Sequence, residues 1–440
     1  MANSKLFLVI LITFGVIVPS LVAHIAEFDG YWRRRAEESL ENTHNLYHPE
    51  PEKVTAEVNK AVVQSLKEVS SNTTARRLLG SIRKNRPCEA TNPIDKCWRC
   101  DPKWADNRKR LADCGIGFGK NATGGKHGEF YVVTDDSDDT MNPKIGTLRH
   151  AVTQKRPLWI IFQRDMVIRL VQELIMESDK TIDARGTRVY ITGGAGLTLQ
   201  FIRNVIIHGL RINNIGVGSG GLIRDSEEHF GLRTQSDGDG ISIFGSQNIW
   251  IDHVSMKKCF DGIIDVIEGS TAITISNGHF TDHNEVMLFG AHDNSTIDEK
   301  MQITLAFNHF GKRLVQRMPR CRFGYVHIVN NDYTHWNMYA IGGSSHPTII
   351  SQGNRFVASN DAFTKEVTKR EAVESVWKNW DWVSEDNLFV NGAYFVPSGD
   401  QDWSRKHPQI SDGVKSGKGI EASILTKYSG ALRCIVGKPC

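Results

Sequence analysis

Asp237-Gly-Asp239, Asp261 and Asp265 precede a row of five cations within eleven residues: Lys312, Arg313, Arg317, Arg320 and Arg322. Carboxylates are what a hard cation such as calcium takes, with six to eight oxygens around it. Guanidinium forks pair with carboxylates in bidentate fashion. Acids that hold calcium beside a basic row would suit an anionic polymer. Spacing alone leaves plainer readings open. Asp and Gly form turns, and a basic run is also a solvated loop or a nucleic-acid patch. Asp261 lies 24 residues after Asp237, with Asp265 four further on. On one straight strand Asp261 and Asp265 would stand ~13 Å apart and could not share an ion. Either Gly262 bends the chain, or the two serve neighbouring ions.

Positions so far apart meet only if the chain repeats. Ile206-Ile207, Ile249-Trp-Ile251, Ile273-Thr-Ile275, Ile303-Thr-Leu305, Val326-His-Ile328 and Thr348-Ile-Ile350 are strand candidates by their β-branched content. Most are followed by a turn residue and an aromatic. The Asn anchors 277, 308, 331 and 354 are spaced 31, 23 and 23, and His253 holds the equivalent place 24 residues before Asn277. A period near 23 predicts an all-β fold, a right-handed single-stranded parallel β-helix. Each coil adds a strand ~4.8 Å above the last, so equivalent side chains stack in ladders. Asn tolerates the left-handed backbone and bonds along its own ladder. Residues 291–300 fill the longer step as a polar loop leaving the solenoid. The Leu spacing of leucine-rich solenoids is missing. The coils are expected to stop after Phe356. The aromatic stretch 362–400 is then expected to cover or cap the solenoid, with helical character over 365–377.

The chain has 440 residues and a formal charge of +3, which excludes neither a polyanionic nor a neutral substrate. Lys5, the apolar run 6–18 and the small residues after Pro19 read as a secretory signal peptide spanning 1–23, too short for a comfortable membrane span. A secreted chain makes nucleic acid an improbable partner and an oxidising compartment the setting for its eight cysteines. Pairings Cys97 with Cys114 and Cys434 with Cys440 are favoured. Cys97-Trp-Arg-Cys100 lacks the second pair a zinc site needs. Asn72, Asn121 and Asn294 are glycosylation sequons. Within residues 27–90, Val54, Val58, Val62, Leu66 and Val69 recur at helical spacing, predicting one amphipathic helix in a small accessory or cleavable segment. The histidines 283, 292, 309 and 327 are expected to stack inside or line turns. No nucleophile elbow of a serine hydrolase is present.

Trp250-Ile-Asp-His253, Asp237-Gly-Asp239, Asn284-Glu-Val-Met-Leu288, Val315-Gln-Arg-Met-Pro-Arg-Cys-Arg322 and Asn331-Asp-Tyr-Thr-His-Trp336 together resemble the plant pectate lyases, polysaccharide lyase family 1 of the parallel β-helix superfamily. The likeness runs from about Asn92 onward, making 92–440 the catalytic domain. Residues 27–90 look like the extra N-terminal segment of some plant members. The resemblance implies Ca²⁺-dependent β-elimination on de-esterified homogalacturonan in the cell wall, by a secreted protein expected to be a monomer. It implies Asp237, Asp261 and Asp265 as calcium ligands, Asp239 as a further acidic position, Arg317 as base, and Arg322 with Arg320 as substrate-binding cations. A guanidinium base strains the ordinary rule. Crowding by calcium, Arg320 and Arg322 would disfavour its charged form, so an alkaline optimum is expected. Glu285 departs from some relatives, particularly microbial ones, that carry a substrate-binding Lys there; an acid cannot hold a carboxylate directly, which leaves action through calcium or compensation by Lys312 or Arg313. Two rivals stay open: a polygalacturonase, which needs an acid–base carboxylate pair, and a non-catalytic pectin-binding wall protein.

Overall fold

In a computed structural model, which describes residues 29–78, 88–401 and 415–440, the short β-branched runs stack into three parallel sheets of ten, nine and eight strands. The signal-peptide reading lies outside the described residues. All six strand candidates fall in the ten-stranded sheet, with Ile206, Trp250, Thr274, Thr304, His327 and Ile350 in one register row. The architecture is the expected parallel β-helix.

This sheet is buried on both faces, which is why its strands read as near-continuous apolar runs. Ile249, Ile251, Ile273, Ile275, Ile303 and Leu305 point into the solenoid core. Ile206, Trp250, Ala306 and Val329 pack outward against Val58, Val62 and Trp98. The outer layer comes from residues 94–122, from Leu425 and Cys434, and from the N-terminal segment, which is two helices, Gly30–Leu46 and Pro51–Leu78, rather than one. Proline at 49 and 51 breaks the pattern between them. The segment is built into the fold. Trp32 is fully buried beside Ile175 and Ile223, Thr55 shares a 3.0 Å hydrogen bond with Tyr325, and Asn59 donates to Gln352 at 3.0 Å.

The asparagine ladder differs from the expected one by a residue. Asn308, Asn331, Asn354 and Asn387 form it: each of the first three donates its backbone N–H to the next side-chain oxygen, at 2.8–2.9 Å. Gly278, not Asn277, holds the position before Asn308, because Ser276 pairs with Ala306. Asn277 instead takes the left-handed position, as do His253, Phe307 and Asn330. Two adjacent demands, a left-handed bend and a ladder, both favour Asn, and the spacing of 31 mixed them. Beside the ladder, Phe280, Phe310, Tyr333, Phe356 and Phe389 stack through the core with centroids 4.6–5.6 Å apart.

The coils do not stop at Phe356. Thr368–Arg370, Trp382–Glu385 and Leu388–Val390 add one strand to each sheet. Only Glu374–Trp377 of the expected helical stretch is helical. Residues 371–381 lengthen this coil and hide its period. Trp380 and Trp382 join the core rather than covering a flank. Cys97–Cys114 and Cys434–Cys440 are disulfides, as favoured, and Cys88–Cys100 is a third.

Candidate active site

The eight-stranded sheet and the bends that feed it hold the candidate site residues. Asp265 pairs with Leu288, and Leu288 with Arg320, on successive strands. One step earlier in each coil, Gly238 O accepts from Asp261 N, Val286 O from Ile263 N, Gln316 O from Val286 N and Arg317 O from Met287 N. Asp237, Asp239, Asp261, Glu285 and Arg317 therefore occupy the same bend of four consecutive coils.

Gly262 makes the acidic group possible. The strand carrying Asp265 begins only at Ile264, so Asp261 and Asp265 are not on one straight strand; the chain bends between them. A Cβ at 262 would stand 2.2 Å from Asp265 Oδ1 and 3.0 Å from Asp239 Oδ1. Gly262 N donates to Asp239 Oδ1 at 2.8 Å, and Leu288 N to Asp265 Oδ1 at 3.3 Å. Burial, then Asp261 and Asp237, push the Asp265 carboxyl up to about 8. Burial, then Asp265, Asp237 and Asp261, hold Asp239 well above the usual carboxylate range. Burial, Asp237 and Glu285 raise Asp261. Asp239, Asp261 and Asp265 each feel neighbouring carboxylates, the signature of like charges sharing a site. Their oxygens do not close into a cage: among the described residues the group with three ligand atoms within 4.8 Å of one another is His208, Asp252 and His253. His283, buried and held below its ordinary pKa by that burial, donates from Nε2 to the Asp261 carbonyl at 2.6 Å.

The basic row is not a row of free cations. Arg317, at a left-handed φ of 62°, places Nη2 3.0 Å from Glu285 Oε1. Arg320 forks onto Glu371 at 2.9 and 2.7 Å. Arg322 donates to Asp293 at 2.9 Å and to Gly290 O at 2.8 Å. Arg313 pairs with Asp282. The expected crowding of Arg317 by Arg320 and Arg322 is thus offset, since each cation carries its own carboxylate. Buried Tyr339 lies beside both Arg317 and Arg320, whose charges partly offset the rise that burial gives its hydroxyl.

Residues 171–385 match the family model described as pectate lyase, and residues 24–78 match that described as pectate lyase, N terminus. The chain is 64% identical to the probable pectate lyase P59 of Solanum lycopersicum, over 99% of this chain and 98% of that protein. The chain belongs to the plant pectate lyase family. A pectate lyase of Lilium longiflorum is 57% identical over 95% of each chain. Among solved structures, that of jun a 1, the major allergen from cedar pollen, is 46% identical with a TM-score of 0.75, covering 78% of this chain and 99% of its own. The thermostable pectate lyase PL 47 shares the fold, with a TM-score of 0.51 at 20% identity over 72% of this chain and 96% of its own.

Within this pectate lyase fold, Asp237, Asp239, Asp261 and Arg317 named from sequence converge on one bend, and Asp265 lies on the strand that leaves it. Arg320 and Arg322 lie on the adjoining strand Arg320–Arg322. Sequence reasoning missed Tyr339, Glu371, Asp293, Ser344 and Ser345. No repeat period marks them, and their relevance appears only when the partner of each arginine is known. Asn121 and Asn294 are exposed; the side chain of Asn72 lies outside the described residues.

Proposed function

We propose that this pectate lyase family member cleaves de-esterified homogalacturonan by calcium-dependent β-elimination, leaving 4,5-unsaturated ends, outside the cell in the wall. The observation that carries the reading is the placement of Arg317 on the same bend as Asp237, Asp239 and Asp261, with Asp265 on the strand that follows, where burial and neighbouring carboxylates hold Asp239, Asp261 and Asp265 above the usual carboxylate range. No helix among the described residues is long and apolar enough to cross a membrane.

The donor set suits calcium: carboxylates alone, mutually repelling and half-open, with places left for water and a uronate oxygen. Asp237, Asp261 and Asp265 would hold the ion, with Asp239 as a further acidic position beside them. When bound, calcium acidifies the proton at carbon 5 by withdrawing charge from the neighbouring carboxylate. Arg317, in its neutral guanidine form, takes that proton and becomes a guanidinium. The bond from carbon 4 to the bridging oxygen then breaks, and the departing oxygen takes a proton from solvent. Arg322 and Arg320 bind the polymer's carboxylates and stabilise the charge spreading onto them. Glu285, which cannot bind a carboxylate, serves instead to hold the Arg317 guanidinium in place. The test is formation of an ultraviolet-absorbing unsaturated product from polygalacturonate with calcium. A hydrolase gives no such product, and a binding protein gives no turnover.

A further inference from the structure

Three donors converge on a single oxygen at the edge of the site. Asp293 Oδ1 accepts from Arg322 Nε at 2.9 Å, Ser344 Oγ at 2.8 Å and Ser345 Oγ at 2.7 Å. Two of the donors are fixed. Arg322 and Ser344 face each other across paired strands, Ser344 is buried, and Gly290 O anchors Nη1 of Arg322. The acceptor is not. The Asp293 side chain is 66% exposed against 14% for Arg322, and it comes from the polar segment that leaves the coil. A rigid seat for a carboxylate is therefore filled by a carboxylate from a solvent-facing segment.

We propose that Arg322, Ser344 and Ser345 form a uronate-carboxylate subsite, which Asp293 occupies in the free enzyme and yields to substrate. The proposal rests on the pectate lyase reading above. It adds two serines that no motif marked and an internal competitor. A galacturonate carboxylate offers the same charge and acceptor as Asp293, so exchange preserves every donor's bond. The fit is chemical in a second respect: the Ser345 and Ser344 hydroxyls and Arg322 hold the Asp293 carboxyl down at about 2, so the seat selects an ionised acid. A methyl ester, uncharged, would not displace it. Occupancy by Asp293 reduces apparent affinity by the fraction of molecules in which the seat is free.

The test compares wild type, Asp293→Ala and Asp293→Asn, with Ser344→Ala/Ser345→Ala made in both the wild-type and Asp293→Ala backgrounds. KM and kcat are read on polygalacturonate with calcium. Calorimetric titration with trigalacturonate and with its trimethyl ester gives binding without turnover, in an Arg317→Lys background. Both Asp293 variants are expected to lower KM and the trigalacturonate Kd by roughly three- to tenfold, with kcat unchanged and no gain for the ester. The paired serine change is expected to raise KM more in the Asp293→Ala background than in wild type, where it weakens competitor and substrate together. If Asp293 merely ties its segment down, both variants lower Tm and leave KM and Kd where they were; that result overturns the proposal. Absence of unsaturated product from wild type would instead overturn the catalytic reading, while the calorimetry would still report on the seat.

Discussion

Nη2 of Arg317 stands 3.0 Å from Oε1 of Glu285, and the two residues sit on adjacent coils whose backbones are joined through Glu285 and Gln316. Glu285 also raises Asp261, so one carboxylate faces both the proposed base and the proposed metal ligands. Its role is positional. Glu285→Gln is expected to reduce kcat roughly tenfold, the equivalent of about 1.4 kcal/mol of lost placement, without raising KM for polygalacturonate. Steady-state kinetics separates the two constants. A raised KM with unchanged kcat would mean that Glu285 acts on substrate binding and leaves the base alone.

Calcium should be visible without catalysis. Binding relieves the repulsion among Asp237, Asp239, Asp261 and Asp265, so adding calcium to chelator-treated protein is expected to raise Tm. Gly262→Ala pushes a methyl group against the Asp265 and Asp239 carboxylates and is expected to weaken calcium affinity by at least about tenfold. Asp265→Asn is expected to abolish the Tm rise. Differential scanning calorimetry with and without calcium checks all three. A Tm indifferent to calcium in the wild type would count against the acidic group as a metal site.

A pH effect is expected away from the site. His253 is fully buried between Asp252, 2.7 Å from Nδ1, and Asp95, 3.2 Å from Nε2. Burial opposes its charge, but the two carboxylates outweigh burial and raise its pKa to about 9. A histidine whose pKa is raised on folding contributes stability in full below its unfolded pKa of about 6.5, and loses it as pH rises through the folded value. Tm is therefore expected to fall between about pH 6.5 and 9, and the fall is expected to shrink in His253→Gln. Equal slopes in the two proteins would show that His253 is not the group responsible.

The asparagine ladder carries part of the solenoid's stability. Asn331 accepts from the Asn308 backbone and side chain at 2.9 and 3.0 Å and donates to Leu305 O at 3.0 Å. Asn331→Ala strands the Asn308 N–H and the Leu305 carbonyl in the core, at about 1–3 kcal/mol each. A loss near 3 kcal/mol in urea unfolding is expected; a loss below about 0.5 kcal/mol would mean that the coil satisfies these groups another way.

The six apolar runs were legible because a sheet buried on both faces must be written in β-branched residues, and the acids and arginines because their types are rare together. Three features were not. Asn277 looked like a rung because the left-handed bend and the ladder select the same residue one place apart. The last coil was hidden by the segment leading to Trp382, which breaks the period without breaking the pairing. The arginines looked like a field of free charge because Glu285, Glu371 and Asp293 come from other coils, and only the stacking brings them together.

The central claim is that Arg317 and bound calcium act on one uronate. Its most direct measurement is the ultraviolet absorbance of unsaturated product released from polygalacturonate by wild type with calcium, by wild type with chelator, and by Arg317→Lys with calcium. The account predicts product in the first and a loss of roughly a hundredfold or more in the other two. Product formed at comparable rates in all three would contradict it.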